Sequence, residues 1–287
     1  MNIVYLNNKK LTERNVISVY NPSFLYGINV FEGIRAYWSD IKMELLIFDL
    51  NEHLERLFDS AETIGFDLQI EKEDLNMELL SIITKEDIKE NSYIRITFFV
   101  DGETNWSERN LIARLISIRS MNSDLGFAQP TSLAITSYKR ISSNSMPPSV
   151  KAGANYLNSR YALLNAKKRG FDGALFLSQD NAISESTGSC IFFIKNDVLF
   201  TPSTNSDILI GITRNRIIDL ARVSGIEIIQ EKITIDDLPS FEGAFLVGTM
   251  IELKPISRIE EIVYDPSHKI ITKLIILLKN YVYGTEF

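Results

Sequence analysis

The chain has 287 residues, of which 45% are hydrophobic and 23% charged, and its formal net charge at pH 7 is −7. These values predict a folded protein of one large or two medium-sized domains rather than a disordered chain. The negative charge argues against a general nucleic-acid binder, which needs a basic face. With one cysteine and two histidines in the sequence, we expect neither a disulfide framework nor a metal centre.

The sequence contains no run of about 18 apolar residues that would cross a bilayer. Residues 1–10 also lack the apolar core of a signal peptide, and a lone cysteine fits a reducing compartment. We therefore expect a cytoplasmic protein without a membrane segment.

The first predicted domain, residues 1–119, mixes strands and helices. Its clearest helix follows Asn51, the expected N-cap, carries apolar residues at spacings of three and four, and stops at Gly65. Alternating residues predict two strands on either side of a turn at Asp40. In chain order, we predict a hairpin turning at Asn7 and Asn8, strands at 29–37 and 43–49, helices at 51–64 and 74–89, and strands at 93–100 and 111–119.

A polar, turn-rich segment at 120–130 is the predicted linker to a larger C-terminal domain, residues 131–287. Gly170 and Gly225 each end a predicted helix there. Because strands and helices do not alternate strictly, the predicted class is α+β rather than a doubly wound sheet. In chain order, we predict a strand at 132–138, a helix at 158–168, short strands over 172–200, a helix at 213–224, strands near 226–231 and 243–249, and a helix at 267–282.

Lys151 lies in a loop that is entered through Pro147 and Pro148 and is followed by small residues and then Tyr156. A lysine that attacks a carbonyl must lose its proton, which desolvation or neighbouring cations favour. Small neighbours leave room for a bulky carbonyl compound beside the amine. A solvated surface lysine is the alternative that these residues alone leave open.

Two glycine turns in the second domain predict an anion site. Gly211 leads into a helix that begins near Ile212 and Thr213, whose first amide N–H groups have no partner within the helix. Gly248 and Thr249 form a second turn after an apolar strand. Taken alone, the first turn is explained by N-capping through Thr213, and the second by an ordinary strand end. The presence of both turns in one domain favours a phosphate that they bind together.

Three ionisable residues each have a functional and a structural interpretation. Glu185 adjoins small hydroxylated residues, where a carboxylate can hold a cationic ring nitrogen, but a surface turn would also explain it. Arg56 lies opposite the apolar stripe of its helix, where a solvated charge is commoner than a phosphate ligand. His53, nearby, is expected to be structural or exposed.

One strand face of the first domain combines aromatic, small and cationic residues. Phe31, Gly33 and Arg35 share a face because side chains alternate along a strand, and Tyr93 and Arg95 form a similar pair. A buried arginine is uncommon unless it is paired or binds an anion. Such a face can admit an apolar chain beside a carboxylate.

Together these segments resemble the class IV aminotransferases, the pyridoxal-phosphate enzymes that include branched-chain amino-acid aminotransferase. The resemblance implies a two-domain α+β, D-amino-acid aminotransferase-like fold with pyridoxal 5′-phosphate at the domain interface, in a homodimer or larger homo-oligomer. It covers nearly the whole chain and rests on Phe31-Glu32-Gly33-Ile34-Arg35, Tyr93-Ile94-Arg95, Lys151-Ala152-Gly153-Ala154-Asn155-Tyr156, Ser184-Glu185 and Gly211-Ile212-Thr213-Arg214.

The resemblance also implies roles for single residues. Lys151 matches the lysine that holds the cofactor as an internal aldimine and then moves the proton between substrate Cα and cofactor C4′. Glu185 matches the carboxylate that keeps the pyridine nitrogen protonated, and Tyr156 matches the residue near the phenolic oxygen. The implied phosphate cradle comprises Arg56, Ile212, Thr213 and Thr249.

A substrate class follows from the same resemblance. Arg95 matches the residue that serves the distal carboxylate of glutamate in branched-chain enzymes, whereas Phe98 and Val100 stand where D-specific enzymes carry arginine and histidine. We therefore expect L-branched-chain amino acids, with glutamate and 2-oxoglutarate as the partner pair. The implied substrate contacts are Tyr26, Phe31, Gly33, Tyr93, Arg95 and, through main-chain N–H groups, the turn of Gly248 and Met250.

Some segments depart from the family. The loops at 101–110 and 121–127 differ from its substrate loops, and Ser186 and Cys190 replace residues usual near the cofactor. The alternatives are the same scaffold acting on D-amino acids or as an aminodeoxychorismate lyase, and a catalytically silent binding or structural dimer. The presence of Lys151, Glu185 and Thr213 argues against a silent scaffold.

Overall fold

The computed structural model describes residues 1–12 and 17–285 and divides into two compact units. The first unit comprises Met1–Asn122, Val150–Ala154 and Val282–Gly284. The second contains Ser123–Ser149 and Asn155–Tyr281. The five residues around Lys151 therefore belong to the first unit, although the sequence on either side of them belongs to the second.

The first unit is built on a six-stranded sheet in the order β2-β1-β6-β5-β3-β4. All of its strand pairs are antiparallel. Its elements are β1 (Asn2–Leu6), β2 (Lys9–Lys10), α1 (Pro22–Tyr26), β3 (Asn29–Ser39), β4 (Glu44–Ile47), α2 (Leu50–Thr63), α3 (Lys72–Lys85), β5 (Ser92–Val100) and β6 (Ile112–Ser120).

Helix α2 packs on β3 through the predicted apolar stripe. Leu54, Leu57 and Ala61 are fully buried in the core of this unit, because residues three and four apart share one helix face. The predicted N-cap at Asn51 is wrong: the helix begins at Leu50 after Asp49, whose φ of 44° places it in the left-handed region. Asp49 makes no side-chain capping bond, so the capping pattern was a misleading signal.

Helix α1 was absent from the predicted elements because its five residues are too few for a helical periodicity. Its ends nevertheless follow known preferences. The Asn21 side chain accepts a hydrogen bond from the Ser23 amide, Pro22 occupies the first turn, and Gly27 ends the helix with a φ of 72°.

The second unit contains a nine-stranded sheet in the order β12-β11-β10-β13-β14-β7-β8-β9, with β15 paired to β14. Its pairs are mixed: β7 with β8, β7 with β14 and β11 with β12 are parallel, and the others are antiparallel. Its elements are β7 (Thr131–Lys139), α4 (Tyr156–Lys168), β8 (Gly173–Leu177), β9 (Ile183–Ser186), β10 (Cys190–Lys195), β11 (Val198–Pro202), α5 (Ile212–Val223), β12 (Ile228–Glu231), a 3₁₀ helix (Ile235–Ser240), β13 (Gly243–Gly248), β14 (Glu252–Ile259), β15 (Ile262–Val263) and α6 (Lys269–Tyr283).

The two sheets, with helices that alternate only in part, confirm the predicted mixed architecture. Glycine positions indicated several helix ends correctly: Gly65, Gly170 and Gly225 have φ values of 81°, 82° and 75°, which side chains with a Cβ rarely adopt. Within the described residues 1–12 and 17–285, no helix is long and apolar enough to span a bilayer.

Candidate active site

The segment that carries Lys151 is held against β3 and α2 of the first unit by its main chain. The Phe31 amide donates to the Lys151 carbonyl at 3.0 Å, and the Lys151 amide donates to Ser60 Oγ at 3.2 Å. The Gly153 amide donates to the Asn29 carbonyl at 3.0 Å. A Cβ on Gly153 would lie 2.5 Å from Asn29 Oδ1, so glycine permits this close approach.

The side chain of Lys151 shares an aromatic neighbour with a second cation. Its Nζ lies 5.3 Å from the centroid of the Phe31 ring, and the guanidinium carbon of Arg95 lies 3.7 Å from the same centroid. Phe31 is 6% exposed. The structure therefore brings the predicted lysine, aromatic residue and arginine together within one unit.

The predicted strand face is also present. Gly33 lies opposite Arg95, and Arg35 lies opposite Tyr93, across the antiparallel β3–β5 pair, so these side chains share one side of the sheet. The Tyr93 ring covers Gly33 so closely that a Cβ there would lie 2.3 Å from Tyr93 Oη. A residue without a Cβ is therefore required at position 33 for the Tyr93 ring to lie this close to the strand.

Arg56 is not the solvated charge that its helical position indicated. Its Nε and Nη2 donate to the two carboxylate oxygens of Glu32 at 2.6 and 2.9 Å, and its side chain is 14% exposed. His53 Nδ1 donates to Glu32 Oε2 at 2.7 Å, since an ionised carboxylate can only accept. The pairing of Arg56 with Glu32 was not predicted from the sequence, because Glu32 lies on β3, 24 residues away.

The pKa values of Glu32 and His53 depend on two opposing effects, the burial of each group and its pairing with charged neighbours. Burial alone opposes ionisation of Glu32, but Arg56 and His53 outweigh it and hold the pKa at about 2, against an ordinary value of 4.5. Burial lowers the pKa of His53, the bond to Glu32 opposes that shift, and the charges of Arg56 and Lys151 add to it. His53 is thus a neutral, fully buried structural residue and not an exposed one.

In the second unit, Glu185 is buried rather than at a surface turn. It lies on β9 at 4% exposure, and its Oε1 accepts from Arg140 Nε at 2.8 Å and from the Leu209 amide at 3.2 Å. A carboxylate inside a protein is stable as an anion when a cation and hydrogen bonds accompany it. Arg140 was not among the predicted site residues because it precedes Glu185 by 45 positions.

Helix α5 presents an uncapped start. Gly211 is its N-cap in an extended conformation, and no side chain makes a capping bond, so the N-capping role considered for Thr213 is wrong. Ile212 and Thr213 are buried. A Cβ on Gly211 would lie 2.7 Å from Cys190 Sγ, so this turn and the start of β10 are closely packed. The geometry leaves a helix N-terminus suited to an anion.

The second glycine turn follows β13. A Cβ on Gly248 would lie 3.4 Å from both the Gly188 carbonyl oxygen and Ser189 Oγ, so this turn contacts the hydroxylated segment after β9. Thr249 is half-buried and Met250 is exposed. Main-chain N–H groups at such a turn can bind a carboxylate or phosphate oxygen.

Two predicted contacts lie on exposed elements. Tyr26 ends α1 and is 58% exposed, and Tyr156 begins α4 and is 39% exposed. The roles of both residues stay predictions from the resemblance. Among the described residues, no group of three or more histidine, cysteine, aspartate or glutamate side chains could hold a metal ion.

Comparisons with known proteins show the family of this chain. A family model described as amino-transferase class IV matches residues 29–259. The putative branched-chain-amino-acid aminotransferase of Methanocaldococcus jannaschii is 34% identical over 260 residues, which cover 90% of this chain and 88% of that protein.

Two solved structures show the same fold. The branched-chain aminotransferase of Thermoproteus uzoniensis, crystallised with norvaline, has a TM-score of 0.92 and 32% identity, covering 99% of this chain and 95% of that one. The branched-chain amino acid aminotransferase of Thermobaculum terrenum, in its PLP-bound holo-form, has a TM-score of 0.93 and 29% identity, covering 99% and 95%. The chain therefore belongs to the class IV aminotransferases and is an aminotransferase.

Proposed function

We propose that this aminotransferase exchanges the amino group of L-branched-chain amino acids with that of glutamate, through pyridoxal 5′-phosphate bound to Lys151. The observation that carries the proposal is the placement of Lys151 Nζ and the Arg95 guanidinium beside one buried aromatic ring, that of Phe31. A reactive amine and a fixed cation beside an apolar wall suit a substrate that is either an apolar or an acidic amino acid.

The residues present fit the cofactor. A buried carboxylate, Glu185, can hold a protonated ring nitrogen, and the uncapped start of α5 at Ile212 and Thr213 suits a phosphate. Arg56, held by Glu32, supplies a cation, and Thr249 supplies a hydroxyl at the second turn. Tyr156 is assigned to the phenolic oxygen of the cofactor. The Thermobaculum terrenum enzyme, solved in its PLP form, supports this cofactor.

When bound, the cofactor supplies an electron sink for the charge that develops at the substrate Cα. The chain supplies the proton transfers and the positioning. With the cofactor bound, the Lys151 amine would accept and return the proton of the substrate Cα. That role requires a fixed main chain, which three hydrogen bonds of the Lys151 segment provide. Glu185 would hold the proton on the ring nitrogen, and Arg140 donates a hydrogen bond to that carboxylate at 2.8 Å.

The substrate side chain is assigned to the face of β3 and β5. Phe31, Gly33 and Tyr93 form an apolar surface for leucine, isoleucine or valine, and Arg95 receives the distal carboxylate of glutamate. We assign the α-carboxylate to the main-chain N–H groups of the Gly248–Met250 turn, and Tyr26 to the edge of the pocket. Phe98 and Val100 stand where D-specific enzymes carry arginine and histidine, which supports an L-specific rather than a D-specific enzyme.

The proposed assembly is a homodimer. Tyr20, Phe24 and Tyr26 are 64%, 73% and 58% exposed and lie close together in the sequence, and a cluster of exposed aromatic side chains is typical of an interface. Size-exclusion chromatography with light scattering would measure the mass, and a monomer at assay concentration would contradict this assembly.

The first test is the visible absorbance of the purified protein with pyridoxal 5′-phosphate, before and after separate additions of L-leucine, L-glutamate, D-alanine and aminodeoxychorismate. We expect a lysine-bound cofactor band that L-leucine and L-glutamate both convert to the amine form. Lys151→Ala should abolish the band and the turnover, whereas Lys168→Ala, at an exposed position on α4, should change neither. A response to D-alanine alone, or pyruvate release from aminodeoxychorismate, would overturn the substrate assignment.

A further inference from the structure

Glu252 combines burial, a left-handed backbone and a carboxylate whose two oxygens are both bonded. It is 3% exposed, its φ of 56° lies in the left-handed region, and both of its carboxylate oxygens are bonded. Oε1 accepts from Ser123 Oγ at 2.8 Å, and Oε2 accepts from the Asp124 amide at 2.7 Å. A residue with a Cβ persists in this conformation only where its surroundings require it.

The position of Glu252 in the sheet links two functional segments. Its backbone pairs with Gly248 in the β13–β14 register, so it closes the turn that holds Thr249 and Met250. Its side chain meanwhile binds Ser123 and Asp124, which lie within the predicted linker. One residue therefore connects these two linker residues to the proposed substrate-carboxylate turn, and both segments lie in the second unit.

The packing of the linker is uneven. Leu125 is buried at 3% exposure, but Phe127, two residues later, is 77% exposed. A cavity of about 500 Å³ lies against this segment, lined also by Leu253, Ile275 and Lys279. Close packing normally holds a segment in place. Before this cavity, the two hydrogen bonds to Glu252 act together with the bonds that the Phe127 and Ala128 amides donate to the Asp124 carbonyl.

The chain is also held by buried charged side chains where it passes from the first unit to the second. This boundary falls between Asn122 and Ser123. On the first-unit side, Arg35 Nη2, on a residue 1% exposed, donates to the Asn122 carbonyl at 2.7 Å. On the second-unit side, Glu252 binds the next two residues. Buried charged side chains thus hold the chain on both sides of the point at which it passes from one unit to the other.

We propose that Glu252 is a positioning residue that fixes Ser123 and Asp124 of the linker to the Gly248–Met250 turn and thereby sets the affinity for the amino acid. The inference rests on the proposed function, because that turn is assigned to the substrate α-carboxylate. When the carboxylate is removed, the linker separates from the turn, and the main-chain N–H groups lose their alignment with the substrate. Substrate binding weakens, while the chemistry at Lys151 is retained.

The test uses the cofactor-loaded enzyme and Glu252→Gln, which keeps the volume of the side chain and removes its charge. Hydrogen–deuterium exchange of peptides covering residues 121–128 should rise about tenfold, because a hydrogen bond to a charged group is lost at the Asp124 amide. The KM for L-leucine should rise about tenfold with kcat within about twofold, the signature of lost ground-state and transition-state binding together.

A matched control is available at the other end of β14. Glu260 also has a positive φ, of 49°, and its carboxylate also accepts from a main-chain amide, that of Ile135 at 2.6 Å. Glu260→Gln should leave the linker exchange and the KM unchanged. Ser123→Ala removes one partner of Glu252 without altering β14. It should raise both the linker exchange and the KM for L-leucine, but by less than Glu252→Gln.

The outcomes separate this proposal from the proposed function. Transamination of L-leucine by the unaltered enzyme tests the function alone. Unchanged linker exchange in Glu252→Gln overturns the positioning role, and so does raised exchange with an unchanged KM. Raised exchange together with a raised KM in Glu252→Gln, absent in Glu260→Gln, supports it.

Discussion

The Arg95 guanidinium lies 3.7 Å from the centre of the Phe31 ring, and Lys151 Nζ lies 5.3 Å from the centre of the same ring. The Arg95 guanidinium and the Lys151 amine therefore share one aromatic neighbour. Attraction to the ring face helps to hold a cation in place. Under the proposed function, this arrangement lets apolar and acidic side chains of the substrate alternate in one pocket.

The first prediction concerns Arg95. Arg95→Gln should raise the KM for glutamate and 2-oxoglutarate about 10- to 100-fold, since a charged hydrogen-bond partner is lost, and should change the KM for L-leucine much less. Steady-state kinetics with each substrate measures the ratio. Arg119→Gln removes an exposed arginine that lies 5.1 Å from the Tyr93 ring and serves as the control. Equal losses for leucine and glutamate would contradict the assignment.

A second prediction concerns Glu32 and stability. Because its folded pKa is about 2 and its ordinary value is 4.5, the carboxylate stabilises the folded state fully above pH 4.5. That contribution, about 3 kcal/mol, is lost as the pH falls toward 2. Glu32→Gln should therefore lower the free energy of unfolding at pH 7 by about 3 kcal/mol, because it leaves Arg56 buried without its anion.

Urea unfolding between pH 3 and 7 measures this dependence. The unaltered protein should lose stability below pH 4.5 more steeply than Glu32→Gln. The control is Glu55→Gln, since Glu55 pairs with Lys72 at the surface and such pairs contribute at most about 1 kcal/mol. Parallel pH curves for the unaltered protein and Glu32→Gln would show that Glu32 is not the group responsible.

His53 allows a third prediction, because the sequence has only two histidines. Burial lowers the pKa of His53 below its ordinary 6.5, with Glu32 opposing and Arg56 and Lys151 reinforcing the shift. The neutral ring contributes stability that is present above pH 6.5 and is lost as the pH falls below it. In a His268→Gln background, nitrogen-15 spectra should show the His53 ring titrating with a pKa below its ordinary 6.5, with the neutral form protonated at Nδ1 predominating at pH 7. A His53 ring that titrates with a pKa above 6.5 would contradict the prediction.

The fourth prediction pairs Gly211 with Cys190. Gly211→Ala should weaken pyridoxal 5′-phosphate binding about tenfold, because the added Cβ would meet Cys190 Sγ at 2.7 Å and displace the start of α5. Cys190→Ala makes room for that methyl group, so the double variant should recover most of the affinity. Absorbance titration of the cofactor-free protein with pyridoxal 5′-phosphate measures the affinity of the two single variants and of the double variant. An additive loss in the double variant would show that the two residues do not compete for space.

The features predicted correctly are those that depend on neighbours along the chain. The apolar stripe of α2, the strand face of Phe31 and Gly33, and the helix ends at Gly65 and Gly170 each follow from a local period or from the conformational freedom of glycine. The resemblance to class IV aminotransferases added the family, which the comparisons confirm. The roles of single site residues stay predictions.

Two of the features that were missed depend on partners distant in sequence. Arg56 is paired with a glutamate on another element, and Glu185 is paired with Arg140 across 45 positions. No periodicity indicates such a pairing, so a buried charge on the polar side of a helix resembles an exposed one. The N-cap of α2 was misplaced because Asp49 begins the helix through its left-handed backbone rather than through a side-chain bond.

The five residues from Val150 to Ala154 belong to the first unit while their neighbours in sequence belong to the second. On the ribosome, the strands and helices of residues 1–122 are therefore synthesised before the segment that completes their unit. A fragment ending at the linker would contain Phe31 and Arg95 but would lack Lys151 and the backbone bonds that the lysine segment makes with β3 and α2. The Lys151 amine thus joins Phe31 and Arg95 only after about half of the chain has been synthesised, so the first unit cannot be completed before much of the second unit has been made.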